Sequence, residues 1–541
     1  MTKTQQFEQQ TKALIDDLKS VCANYGLGND GNEFKIITQV FLYKFLNDKF
    51  VHEIKQLDEN IAKSESWEEA LQELSEDDYE MLMMQLSEST ARISPDHFIS
   101  SLFAKQNEAN FADVFDTTLT EIARDNNDIF SVLTDGGEKI VLFENLSKYV
   151  TDKRDDFCKA IVNKLTGFSF EHIFHEKFDF YATIFEYLIK DYNTNSGGKY
   201  AEYFTPHAVS KIMARCLVHG DVSSATCYDP SAGSGTLLMN LAHEIGEKKC
   251  TIYSQDISQK SSGLLRLNLI LNDLVHSIHN IIKGNTILEP YHRKDNGELE
   301  QFDYIVSNPP FKLDFSDFSA ELDTKENHER FFAGIPNVPA KKKDSMAIYL
   351  MFLQHIIYSL NDKGKAAVVV PTGFITAQSG IDKKIRQKLV DEKMLAGVVS
   401  MPSNIFANTG TNVSILFLDK ENNEGVVLID ASDLGETIKE GKNQKTILTY
   451  EEEDRIINTF NKKENIDDFS VVVSYEDIQA KNLSLSAGQY FDIKIEYTDI
   501  TQKQFEERLS GYEKNLSKLF LDSKKLEKDV QAGIKGLKYG N

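Results

Sequence analysis

From about Phe7 to Gly167 apolar residues recur three and four positions apart, as in Phe34, Ile37, Phe41, Phe45 and Leu46, with acidic runs such as Glu76-Asp77-Asp78 between them. That period lines the apolar positions along one face of successive helices, so the spacing predicts an all-helical domain over 1–167. A helical stretch at 181–190 then runs into a turn-rich break, Asn193-Thr194-Asn195-Ser196-Gly197-Gly198. Beyond it short continuous apolar runs alternate with longer helical patterns. The runs are 225–228, 251–254, 304–307, 366–370, 397–400, 413–418 and 426–429. Strands apolar on both faces and separated by helices predict a doubly wound α/β sheet, here within 168–480. In the last segment, 481–541, Phe505, Leu509, Tyr512, Leu516, Leu519, Leu526 and Val530 follow steps of four and three, interrupted by Ser523. This predicts a C-terminal helix that either needs a partner or folds back on its own domain.

Length and charge narrow the picture. The 541 residues, 41% of them hydrophobic, exceed the roughly 250–300 at which a single core stops growing, so two or three domains are expected. No run of about 18 uncharged apolar residues occurs, and residues 1–19 are polar and charged, which argues against a membrane span or a secretory leader and for the cytoplasm. Cys22, Cys158, Cys216, Cys227 and Cys250 are scattered without CxxC or Cys/His ligand spacing, so neither a disulfide framework nor a metal site is expected. The formal net charge is −24. Gripping DNA requires lysines and arginines against phosphates, so a chain this acidic binds DNA poorly unless its basic residues gather on one face or a partner supplies the grip.

The first chemical motif is Asp229-Pro230-Ser231-Ala232-Gly233-Ser234-Gly235-Thr236, set between a predicted strand and a predicted helix at 237–245. Glycines at such a junction let a ligand approach the backbone closely. A dinucleotide fingerprint would read GxGxxG and face a pyrophosphate, whereas here a carboxylate precedes the glycines. Asp229 would repel a phosphate and suits a ligand with a cationic amino group, a description met by S-adenosylmethionine. Asp229, Ser231, Gly233, Ser234, Gly235 and Thr236 are therefore candidate cofactor contacts. The next strand ends at Asp256, about twenty residues on, where an acidic side chain binds ribose hydroxyls in sheets of this type. In Ile282-Lys283-Gly284-Asn285-Thr286, the amide of Asn285 can donate and accept at an adenine edge. A plain tight turn and surface carboxylates are the bland alternatives, strongest for Asn285 taken alone.

The second motif is Asn308-Pro309-Pro310-Phe311, which ends the apolar strand at 304–307 abruptly, because two prolines continue neither strand nor helix. An adenine amino group is a poor nucleophile while its lone pair is delocalised into the ring. The Asn308 side-chain oxygen and the Pro309 carbonyl are suited to accept its two protons, and Phe311 to stack on the base. Transfer of a methyl group held in line then needs no covalent intermediate, provided the base is flipped from the duplex.

Together these residues resemble the amino-methyltransferases of DNA, and most closely the modification subunits of type I restriction-modification systems, over nearly the whole chain. The helical domain resembles theirs at Asn32-Glu33-Phe34-Lys35 and Phe41-Leu42-Tyr43-Lys44-Phe45-Leu46, and Gly198-Lys199-Tyr200-Ala201-Glu202-Tyr203-Phe204-Thr205-Pro206-His207 resembles a hallmark of that family. The resemblance implies that Glu202, Tyr203, Phe204, Thr205, Pro206 and His207 touch the methionine part of the cofactor. Without it, the same residues read as a helix start capped by Thr205 with Pro206 in the first turn. Gly364-Lys365-Ala366-Ala367-Val368-Val369-Val370-Pro371, Met401-Pro402-Ser403-Asn404-Ile405-Phe406 and Thr409-Gly410-Thr411-Asn412 also match. Ala201, Asp256, Asn285 and Thr372 depart from the family's usual glycine, glutamate, aspartate and carboxylate or amide.

The resemblance further implies DNA bound mainly through a separate specificity subunit flanked by two modification subunits, a C-terminal helix docked on that reader, and a restriction nuclease or translocase as a further partner. It thereby accounts for the acidic charge. Lys341-Lys342-Lys343, in the segment after the tetrapeptide, reads either as a solvated loop or as a flexible contact to the DNA backbone. Two other classes compete. A protein glutamine N5-methyltransferase uses a similar tetrapeptide but usually has tyrosine where Phe311 stands, and a non-catalytic scaffold would show erosion of Asn308 or Asp229.

Overall fold

Each of the seven apolar runs forms a strand, because a continuous β-branched and aliphatic stretch of this length is buried on both faces of a sheet. The computed structural model describes residues 3–28, 31–174, 187, 205–406, 412–422, 424–440, 443–491 and 501–536. The break at 193–198 and most of the stretch at 181–190 lie outside the described residues. In chain order the strands are β1 (Val132–Thr134), β2 (Lys139–Ile140), β3 (Ala225–Asp229), β4 (Cys250–Asp256), β5 (Ile281–Lys283), β6 (Phe302–Ser307), β7 (Leu360–Pro371), β8 (Leu395–Ser400), β9 (Val413–Asp419), β10 (Val426–Asp430), β11 (Glu436–Glu440), β12 (Asn443–Ile447) and β13 (Ser470–Val473). Eleven of them form one sheet in the order β13-β10-β8-β9-β7-β6-β3-β4-β5-β1-β2, and β11 and β12 form a separate hairpin.

The sheet has a parallel centre, β5-β4-β3-β6-β7, in which Tyr228 stands opposite both Tyr253 and Ile305. β9 runs antiparallel between β7 and β8, so the expected doubly wound sheet is mixed toward that side. From β3 the chain proceeds outward to β4 and β5, then returns to β6 on the other side of β3. The reversal leaves a crevice at the carboxyl ends of β3 and β6, the place where ligands bind in open α/β sheets.

The N-terminal region is not all-helical. Val132–Thr134 and Lys139–Ile140 form a hairpin whose first strand pairs parallel with β5, Leu133 opposite Ile282 and Thr134 opposite Lys283. Strands of three and two residues are too short to impose a period on a region where helical spacing dominates. The Asp135-Gly136-Gly137 turn was the available signal. The buried guanidinium of Arg266, in the helix Gln259–Leu271, clamps the hairpin by donating to the carbonyls of Phe130, Ile140, Val141 and Leu142. N-terminal region and sheet thus belong to one compact unit, Met1–Tyr490, and Phe491–Asn541 form a second.

Residues 481–490 belong to the first unit, since Leu485 N–H donates to the Ile375 carbonyl and Arg386 Nε to that of Leu483, each at 2.9 Å. The second unit holds the helix Gln502–Gly536, on which Phe505, Leu509, Tyr512, Leu516, Leu519, Leu526 and Val530 are all exposed. Among the described residues no helix is long and apolar enough to cross a membrane, and all five cysteines are free and buried.

Candidate active site

β3 delivers Asp229 to the crevice, and the chain turns through the glycine loop into the helix Thr236–Ile245. Gly233 and Gly235 both take positive φ, 53° and 85°. At Gly235 a Cβ would also come within 2.3 Å of Leu265 Cδ1, so this glycine meets a backbone and a packing requirement at once. Asn268, buried in the neighbouring helix, donates to the Ser234 carbonyl at 2.8 Å, and the Ser234 and Thr236 hydroxyls lie 3.0 Å apart. The loop is therefore held from behind, with its backbone toward the crevice.

Asp229 is 1% exposed, and its Oδ1 accepts from Ser231 N–H and from the Ser307 hydroxyl, both at 2.9 Å. The Ser231 and Ser307 hydroxyls are themselves 2.8 Å apart. Burial pushes the Asp229 carboxyl up to about 7; the bonds from Ser231 and Ser307 oppose the rise, and nearby Asp256 adds to it. Asp256 is held above the usual carboxylate range by burial, although Gly233 N–H donates to its Oδ2 at 2.9 Å and Ser258 N–H to its Oδ1 at 2.8 Å. Two carboxylates with no lysine or arginine bound to either among the described residues make an electron-rich crevice suited to a ligand cation.

Asn285 follows β5, but its Oδ1 accepts from Ile287 N–H at 3.1 Å and Leu288 N–H at 3.3 Å. That leaves its Nδ2, a donor, to face a ligand. Next to it the Thr286 hydroxyl donates to the Pro230 carbonyl at 2.7 Å, tying the end of β5 to the glycine loop.

Beyond Ser307 the tetrapeptide emerges beside this loop. Asn308 Nδ2 donates to Thr205 Oγ1 at 3.3 Å, and among the described residues nothing donates to Asn308 Oδ1. Thr205 thus turns the amide so that its oxygen is free. It does not cap the following helix: Pro206 is the N-cap of His207–Leu217, one residue beyond Thr205, and no side-chain cap bond is made. His207 Nδ1 is buried without a hydrogen-bond partner among the described residues. Glu202, Tyr203 and Phe204 lie outside the described residues. Pro309 is buried, Pro310 exposed and Phe311 half-buried.

The Phe311 ring meets Tyr349 edge-on with centroids 6.2 Å apart, and Tyr349 meets Phe374 at 6.4 Å while its hydroxyl donates to Asp382 at 2.6 Å. Tyr349 and Ser307 escaped sequence reasoning; the only signal at Ser307 was a hydroxyl ending an otherwise apolar strand. The segment after the tetrapeptide is not a flexible loop. Phe315, Leu322, Phe331, Met346 and Ile348 form a small core with Ile287, Met351 and Phe352. Lys341, Lys342 and Lys343 are exposed on it.

Known proteins resemble this chain in sequence and in fold. The family model for the N-6 DNA methylases matches residues 176–499. The chain belongs to the N-6 DNA methylase family. Family membership makes it an enzyme whose chemistry is methylation of the adenine 6-amino group in DNA. The MpnII methylase subunit of a type I restriction enzyme from Mycoplasma pneumoniae is 28% identical over 65% of this chain and 64% of its own length. The MjaIX methylase subunit from Methanocaldococcus jannaschii is 24% identical over 98% of this chain and 91% of its own. The methyltransferase subunit of a type I restriction-modification system from Streptococcus thermophilus shares the fold, at 23% identity and a TM-score of 0.66 over 91% of this chain and all of that one.

Proposed function

We propose that this chain is the modification subunit of a type I restriction-modification complex, transferring a methyl group from S-adenosylmethionine to N6 of an adenine flipped out of DNA. The observation that carries the reading is the bond from Ser307, the residue before the tetrapeptide, to Asp229, the residue before the glycine loop. One pair of adjacent strand ends brings together a cation-seeking carboxylate and an amide with a free oxygen.

The residues fit the cofactor. A buried carboxylate raised to about 7 is relieved by an ammonium group, and the second carboxylate, Asp256, retains lone pairs for ribose hydroxyls. Ser231, Gly233, Ser234, Gly235 and Thr236 form the wall between them, and Thr205, Pro206 and His207 border it beside Asn308. When bound, S-adenosylmethionine supplies an electrophilic methyl group on a sulfonium. Asn308 Oδ1 and the Pro309 carbonyl accept the two protons of the adenine amino group, which localises its lone pair and stabilises the positive charge that develops as the N–C bond forms. Phe311, braced by Tyr349, stacks on the base, and Pro310 fixes the turn.

The charge of −24 supports delegation of DNA binding to a specificity subunit, on which the exposed apolar stripe of Gln502–Gly536 docks. Two modification subunits then flank one reader, and a nuclease or translocase subunit completes a restricting complex. The test is transfer of labelled methyl to double-stranded DNA by this chain, with and without its specificity subunit, beside Asn308→Ala. Activity only with the reader, abolished by the substitution, is expected; activity of the chain alone would contradict the division of labour.

A further inference from the structure

The hairpin that the N-terminal region adds to the sheet ends at the same edge as the cofactor crevice. β1 runs parallel to β5 with Thr134 opposite Lys283, so Asp135 leaves β1 where Gly284 leaves β5. Asp135 N–H donates to the Lys283 carbonyl at 3.0 Å. Its side chain lies so close over Gly284 that a Cβ there would come within 2.5 Å of Asp135 Oδ2. Gly284 has no positive φ, so backbone conformation does not call for glycine at this position, whereas the room taken by the Asp135 carboxylate does. Gly284 N–H in turn donates to the Asp256 carbonyl at 2.9 Å, which ties the end of β5, with Asp135 beside it, to the end of β4.

An adenine edge presents an amino donor at position 6 beside an acceptor at N1. Asn285 has its oxygen committed to Ile287 and Leu288, so its free Nδ2 matches N1 and leaves the 6-amino group without an acceptor. Asp135 Oδ1 accepts from Gly136 N–H at 3.1 Å, and among the described residues nothing donates to Oδ2. The hairpin is held in place by Arg266, reaching from the helix that follows Asp256.

We propose that the Asp135 carboxylate accepts the 6-amino hydrogen of the cofactor's adenine, making the N-terminal hairpin part of the cofactor pocket. This rests on the assignment of S-adenosylmethionine to the crevice.

The test is calorimetric titration of the full chain with S-adenosylhomocysteine and with S-inosylhomocysteine, in which an oxygen replaces the 6-amino group. A hydrogen bond to a charged group corresponds to about a tenfold or greater change in affinity. Asp135→Ala is therefore expected to bind S-adenosylhomocysteine at least about tenfold more weakly than the unsubstituted chain and to show no such loss with the inosyl compound. Asp135→Asn, which keeps an acceptor oxygen, loses less. Unchanged affinity of Asp135→Ala for S-adenosylhomocysteine overturns the proposal, as does an equal loss with both ligands, which marks a merely structural hairpin. If the unsubstituted chain binds neither ligand, the cofactor assignment itself falls and the proposal with it.

Discussion

Asp229→Asn separates what the buried carboxylate costs the protein from what it does for the ligand. In the unfolded chain this group titrates near 4, and in the folded chain burial raises it to about 7. Between those values the folded state holds a proton that the unfolded state has lost, so stability falls as pH rises through that window, and above about pH 7 the whole cost is present. Three units correspond to about 4 kcal/mol. Asparagine keeps an oxygen for Ser231 N–H and the Ser307 hydroxyl and carries no charge, so the ligand-free variant should be more stable than the unsubstituted chain at pH 8. Unfolding the unit Met1–Tyr490 involves an entropy of about 1 kcal/mol/K, so the melting temperature rises by about 2–4 °C at pH 8, the lower figure allowing for relaxation around the charge. The gain vanishes as pH falls toward about 4. Saturating S-adenosylhomocysteine reverses the order, because loss of a buried charge partner weakens binding by roughly a hundredfold. Scanning fluorimetry across pH, with and without ligand, measures both. A variant that melts at or below the unsubstituted chain at pH 8 without ligand, or a difference that does not change with pH, would refute the reasoning.

Thr205→Val removes the acceptor that orients Asn308 while leaving the tetrapeptide intact; kcat for methyl transfer should fall about tenfold with little change in cofactor affinity, and an equal loss of affinity would assign Thr205 to the cofactor instead. At Gly235, alanine meets both a φ of 85° and Leu265, so Gly235→Ala should lower stability by about 1–3 kcal/mol in urea titration, and adding Leu265→Ala should recover only the steric share. Removal of residues 501–541 should abolish co-purification with the specificity subunit while calorimetry still registers S-adenosylhomocysteine; retention of the complex would place the docking surface on the first unit.

What the sequence disclosed follows from how local each feature is. The strands from β3 to β10 other than β5 were legible as short runs dominated by apolar and β-branched residues, and Asp229 and Asn308 were legible because each sits where such a run meets glycines or prolines within a few residues. β1 and β2 were not, since strands of three and two residues leave no period and owe their existence to pairing with β5, about 150 residues later. The same distinction divides the site. The bond between Thr205 and Asn308 spans 103 positions, and nothing local to Thr205 told its hydroxyl to prefer that amide over a helix cap. Asn285 follows β5 as the sequence suggests, but which half of its amide is left free depends on the turn that consumes its oxygen. Tyr349 offered no local signal, since a tyrosine among Leu350, Met351, Phe352 and Leu353 reads as ordinary helix core.

The acidic charge and the geometry of the tetrapeptide bear on each other. A flipped base must be drawn from a duplex whose phosphates repel a chain of net charge −24, and the free energy of unstacking, a few kcal/mol, has to come from contacts to the rest of the DNA. In the segment after the tetrapeptide Lys312, Lys325, Lys341, Lys342 and Lys343 are interspersed with Asp314, Asp317, Glu321, Asp323, Glu326 and Glu329. Leu313 N–H donates to the Met346 carbonyl at 3.1 Å, which anchors the end of the lysines' segment next to Phe311. Lysines so interspersed with carboxylates form no basic patch in this segment. On the proposed function, the contacts that offset base flipping are assigned to the specificity subunit, in line with the net charge of −24.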